Sequence, residues 1–168
     1  MRRLLLLLLL TTLVGCGAAE PPRIQGVEVE PVWEGVATVE EYPERVVVKV
    51  TVENPSAAVK LLQGRMRIGY GGRWVAMLTL TEKVKIPARG SATVELPLRL
   101  NVQRTAQTMQ LRAALKSRRT EGIMIDWQVA LRTRMAYVER EQGPMSIEEL
   151  AGQNIEAIKD MLAAIFEE

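Results

Sequence analysis

The chain has 168 residues, 48% hydrophobic, 25% charged and 4% aromatic, with one cysteine and no histidine. That is apolar material for one sizeable core, which argues against a disordered chain, a disulfide-stapled scaffold or a second full domain. Without histidine, the Ser-His-Asp and Cys-His nucleophile pairs and the usual nitrogen ligand of zinc, copper or non-haem iron are excluded, and the formal charge is only +2.

Met1-Arg2-Arg3 is a basic start, Leu4 to Leu10 is an unbroken leucine run, and Thr11-Thr12-Leu13-Val14-Gly15 leads into Cys16. As helix this is short of the roughly 20 residues that span a bilayer, and it suits the apolar region of a cleaved signal peptide. Leu13-Val14-Gly15-Cys16 resembles the lipobox of bacterial lipoproteins. That resemblance implies a leader over residues 1–15, a lipidated Cys16 as the mature N-terminus, and membrane association through its lipid. Gly17 rather than Asp after the cysteine implies delivery to the periplasmic face of the outer membrane of a bacterial cell envelope. Without Arg2 and Arg3 the basic side chains balance the 20 acidic ones, so no global charge supports nucleic-acid binding or a polybasic membrane contact. With the only thiol lipidated, none is left for a disulfide or redox chemistry. Residues 16–23, with Pro21-Pro22, read as the lipidated cysteine and a short extended tether.

From residue 24 onward the period is two, and residues 24–142 read as one β domain. Val27 and Val29, then Trp33 to Val39, suggest strand interrupted at Pro31. Val46, Val48, Val50 and Val52 alternate with polar neighbours, a half-buried strand. Met66, Ile68 and Tyr70 run into Gly71-Gly72, and Trp74, Ala76, Leu78 and Leu80 run out, a hairpin signal. Val84 and Ile86 form a short strand ended by Pro87. Ala92, Val94, Leu96, Leu98, Leu100 and Val102 alternate without exception, and Pro97 on the outward series predicts an edge or a bulge. Thr105 to Arg119 fits alternation and a helical stripe equally, while its composition favours helix, with Gly122 as the stop. Ile123, Ile125, Trp127, Val129 and Leu131, continuing to Met135 and Tyr137, read as one long last strand. The expected fold is mainly β: an immunoglobulin- or fibronectin-like β-sandwich with one helix before the last strand and a C-terminal amphipathic helix. Its expected core is Val48, Val50, Val52, Met66, Ile68, Val94, Leu96, Leu98, Trp127 and Val129.

Val50-Thr51-Val52-Glu53-Asn54-Pro55-Ser56, then Val59-Lys60-Leu61, the Tyr70-Gly71-Gly72-Arg73 hairpin, and Val84-Lys85-Ile86-Pro87 before Val94-Glu95-Leu96-Pro97-Leu98, resemble the group-2 late-embryogenesis-abundant domain. This is also called the water-stress and hypersensitive-response domain. The resemblance covers residues 24 to 138 and implies a non-enzymatic sandwich with a strand-Asn-Pro corner and a helix before its last strand. The corner also has a physical reading: Pro55 restricts Asn54 to extended backbone and the Asn54 side chain can cap nearby backbone groups, so both read as structural.

Other candidate chemistry is weaker. Glu40-Glu41, or Glu53 with Glu82, could be imagined as a carboxylate pair, but neighbours on a strand face opposite ways. Asp126 and Asp160 are the only aspartates, which argues against calcium, and no cofactor or metal is expected. Arg65, Arg67 and Arg73 around Tyr70 and Trp74 could form a basic-aromatic patch; the favoured reading keeps the arginines on a wet face and packs Trp74 inward.

At Gly143-Pro144 the pattern breaks and the period changes to about 3.6. Ser146-Ile147-Glu148-Glu149 is a capping box, and Ile147, Leu150, Ala151, Ile155, Ile158, Leu162 and Ile165 form one apolar stripe over a helix in residues 143–168. Such a stripe needs cover. Docking on the chain's own domain is one reading; the other, favoured slightly because Gln142-Gly143-Pro144 reads as a joint, offers Ile155, Ile158, Leu162 and Ile165 to an envelope protein or a second copy. The functional expectation is a non-catalytic lipid-anchored module, structural or protein-interacting, with a small or lipidic ligand in envelope lipid or glycan handling as the alternative. A deep apolar pocket would favour the alternative.

Overall fold

The computed structural model describes residues 22–32, 42–151, 162, 163, 165 and 166. The elements are β1 (Arg23–Val32), β2 (Arg45–Asn54), β3 (Val59–Tyr70), β4 (Arg73–Leu80), β5 (Val84–Ile86), β6 (Gly90–Val102), α1 (Ala106–Lys116), β7 (Ile123–Arg132), β8 (Tyr137–Ser146) and α2 (Ile147–Ala151). The fold is mainly β, as expected: one antiparallel sheet of eight strands in the order β1-β2-β6-β4-β3-β7-β8, with β5 on β3.

Alternation turns into layers in β2, where Val46, Val48, Val50 and Val52 are buried while Arg45 and Glu53 at its ends are exposed. The outward residues are tied across strands: Lys49 Nζ donates to Glu30 Oε1 at 2.8 Å, and the Thr51 and Thr93 hydroxyls meet at 3.1 Å. That hydrogen bond to Glu30 also raises the Lys49 pKa above its ordinary value. β6 keeps its alternation throughout, pairing with β2 over Gly90 to Arg99 and with β4 over Leu98 to Val102. Pro97 is therefore neither on an outer strand nor in a bulge. Its carbonyl accepts the Thr81 amide at 2.9 Å, so the missing N–H faces that same side, just beyond the last register pair of β4 at Leu80.

The inward faces of β2 to β7 form one buried cluster, which α1 joins through Leu111 and Leu115. Thr105 caps α1, its Oγ1 accepting the Thr108 amide at 3.4 Å. The helix ends at Ser117, where Arg118 takes the left-handed position at φ 52°; Gly122, at φ 80°, serves instead the turn into β7. The core contains every expected residue except that Leu98 and Trp127 are only partly buried. In urea melts, Leu78→Ala (side chain 2% exposed) is expected to cost about 2–5 kcal/mol and Arg99→Ala, on the exposed face, under about 0.5.

Three expectations are corrected. β1 runs through Pro31 to Val32, because an outermost strand tolerates a missing N–H; Trp33 to Val39 lie outside the described residues. The long last strand is two: a turn held by the Thr133 amide on the Ala136 carbonyl (2.8 Å) folds the chain back into β8. Gly143 and Pro144 are not a joint between a domain ending at 142 and a helix from 143. They lie inside β8, where the register slips between Ile125↔Met145 and Trp127↔Gln142, and a proline is accommodated in a bulge on an edge strand.

Candidate functional site

Four features compete as the site, and the geometry separates them. The first is the Asn54 corner. Asn54 is 1% exposed; its Nδ2 donates to the carbonyls of Ala57 (3.0 Å) and Pro87 (2.7 Å), and its Oδ1 accepts the Ser56 amide at 3.1 Å. Both polar atoms of that amide are engaged by backbone, so it joins the end of β2 to the turn before β6, and its burial leaves it no surface to offer a ligand. Pro55 follows it at the point where the strand ends.

The second is the arginine-aromatic patch on the outer face of β4, β3 and β7, which differs from expectation. The β3–β4 register shifts between Ile68↔Ala76 and Gly69↔Trp74, leaving Val75 as an extra residue on β4. Val75 and Ala76 are both buried, and Trp74 is turned outward, its ring lying over Gly69, where an added Cβ would come within 3.2 Å of it. There Trp74 carries the Arg67 guanidinium 4.2 Å from its ring centroid. Arg67 and Asp126 are register partners, and Arg67 donates from Nε to both Asp126 oxygens (3.0 and 2.9 Å) and from its terminal nitrogen as well. This hydrogen bonding pushes the Arg67 pKa above its ordinary value. The aspartate has its charge answered by a fork, and the fork is already stacked, so this is a closed arrangement that staples three strands.

The third is the C-terminal stripe. Ser146 and Glu149 form the reciprocal capping box, Glu149 N to Ser146 Oγ at 3.1 Å and Ser146 N to Glu149 Oε2 at 2.9 Å. The Thr120 hydroxyl donates to Glu148, Ile147 is fully buried, and Leu162 (0% exposed), Ile165 (4%) and Phe166 (1%) belong to the chain's own core. Phe166 meets Tyr42 edge to face at 5.7 Å between ring centroids. Leu162 and Ile165 are therefore taken up by the fold instead of being displayed to a partner. With Ile147 they are the stripe positions whose burial is described, and all three are covered by the chain's own core. Ile155 and Ile158 lie outside the described residues, as do Cys16, Glu40 and Glu41.

The fourth was not visible in the sequence. Val48, Leu96 and Leu98 of β2 and β6, and Leu61, Met66, Leu78, Ile125, Trp127 and Val129 of β3, β4 and β7, line one apolar cavity of about 70 Å³. Strands far apart in the sheet order thus face each other across it, which means that the sheet curls onto itself. Leu98 and Trp127, the two expected core residues that are incompletely buried, are both in its wall. The Trp127 indole Nε1 is buried and has no hydrogen-bond partner. A buried donor left without an acceptor costs about 1–3 kcal/mol. No group of three or more metal-ligating side chains occurs among the described residues.

No family model and no curated protein matches the sequence. Among solved structures, a crystal structure of a protein from Archaeoglobus fulgidus is similar over 73% of this chain and 96% of its own, at 16% identity and TM-score 0.37. A protein assigned as late embryogenesis abundant (LEA), solved in solution, is a distant neighbour over 80% of this chain and 74% of its own, at 15% identity and TM-score 0.32. A β-glucuronidase from glycoside hydrolase family 2 is similar over 72% of this chain but 11% of its own, at 15% identity and TM-score 0.31. At these TM-scores the likenesses carry no argument about function.

Proposed function

We propose that this protein is a non-catalytic binding module of the bacterial cell envelope, anchored through lipid on Cys16, whose apolar cavity takes the end of a small or lipidic ligand. The carrying observation is the cavity between β2/β6 and β3/β4/β7, with the half-buried Trp127 in its wall. The domain is read as a curled, immunoglobulin-like sandwich of the group-2 late-embryogenesis-abundant kind, resting on the strand-Asn-Pro corner and on a helix between β6 and β7. The alternative, a structural or protein-interaction module working through its C-terminal helix, is less well supported because Leu162 and Ile165 are already covered.

Size bounds the ligand. An apolar cavity of about 150 Å³ holds a benzene, so 70 Å³ admits the tip of an alkyl chain rather than a whole lipid. The ligand would then be an acyl chain or a branched apolar group. In calorimetry, decanoate should bind the protein saturably. Leu98→Phe, which fills the cavity, should abolish that binding, and Arg99→Ala, on the exposed face, should leave it unchanged. Equal binding by the wild type and by Leu98→Phe would refute the reading.

A further inference from the structure

We infer that the end of the domain carrying the β7–β8 turn is a docking surface for an anionic lipid leaflet. Register brings Lys85 opposite Lys60, and Lys60 opposite Arg132, so three cations on β5, β3 and β7 stand in one exposed row across neighbouring strands. Strands are about 4.8 Å apart, which confines the row to roughly 10 Å. Like charges directly opposite each other are unfavourable in a sheet, and among the described residues no carboxylate is paired with any of the three. On the neighbouring strand β8, Glu139 stands opposite Ala130, two residues from Arg132, and accepts from Gln128. An anionic surface would relieve the repulsion.

The row continues into apolar side chains. Arg132 is opposite Tyr137, which is 58% exposed, and the intervening turn presents Arg134 and Met135, the latter 94% exposed. An exposed methionine on a tight turn, with a tyrosine beside it and arginines around it, suits partition into the headgroup and acyl boundary. An acidic protein or a nucleic acid would answer the charges but not Met135, so the lipid leaflet is the occupant that uses both. The chain also enters the domain at this end, since Arg23 pairs with Glu53 next to the Asn54 corner that leads into β3. Residues 16–22 reach at most about 25 Å, so an anchor at Cys16 would hold this end near the membrane. Net neutrality hid the patch: the charge is balanced over the chain but segregated on the surface.

This goes beyond the ligand cavity, and its failure would leave that reading untouched. The test uses the full chain with Cys16→Ser, carrying an environment-sensitive fluorophore at Met135→Cys or, as a control, at Glu121→Cys, in the turn at the opposite end of β7. On phosphatidylcholine vesicles containing phosphatidylglycerol, the probe at 135 should shift to the blue and be quenched by spin-labelled lipid. The probe at 121 should stay in water. Neutralising the row with Lys60→Gln, Lys85→Gln and Arg132→Gln should weaken the signal at 135 by about 100-fold in apparent affinity, with an unchanged thermal melt. Equal shielding at both positions, a signal independent of phosphatidylglycerol, or no effect of the triple substitution would overturn the proposal.

Discussion

A chain ending at Gln142 is expected to lose cooperative folding. It lacks the end of β8, which pairs Ser146 with Met124 and Met145 with Ile125, and it lacks Ile147, Leu162, Ile165 and Phe166, all buried in the core. Each of these four contributes about 1.5–3 kcal/mol by burial, so their sum is comparable with the whole stability of a domain, about 5–15 kcal/mol. Circular dichroism in urea should show no sigmoidal transition, or one displaced to very low urea. A melt with an unchanged midpoint would mean that the C-terminal helix contributes nothing to the core, and would restore it as a surface for a partner.

Asn54→Ala should be the most damaging single polar substitution, at about 2–4 kcal/mol. It strips donors from the Ala57 and Pro87 carbonyls and an acceptor from the Ser56 amide at a site that is 1% exposed. Asn54→Asp should be at least as costly, because it turns a carboxylate oxygen toward two carbonyl oxygens that need a donor. Urea melts of both variants, beside Ser56→Ala as a control that keeps the backbone amide, check this. Equal stability of Asn54→Ala and the control would show the corner to be held by Pro55 alone.

How much of this was legible in the sequence follows from which residues carry local information. β2 and β6 could be read because every second residue is apolar and lies on the inward, buried or half-buried face. The β3–β4 hairpin could be read because Gly71 and Gly72 both sit at positive φ, 57° and 79°. β8 could not: Glu139, Arg140 and Glu141 are all exposed, and an edge strand containing Gly143-Pro144 has no apolar alternation to betray it. Trp74 was misplaced for a different reason. Trp74, Ala76, Leu78 and Leu80 alternate in sequence, but the bulge at Val75 is decided by the partner strand, where Gly69 leaves room for the ring. The cavity and the cationic row depend on register among strands distant in sequence, which no local pattern encodes.

Entry of the apolar end of a ligand into the cavity should be visible by methyl NMR. With Leu and Val methyls labelled, decanoate should produce saturable shifts at Leu78, Leu96, Leu98 and Val129, in the cavity wall, and leave Val52 and Leu111, buried elsewhere in the core, in place. The same titration of Leu98→Phe should be flat. Shifts scattered over surface methyls, or none at the cavity wall, would mean that the cavity takes no ligand.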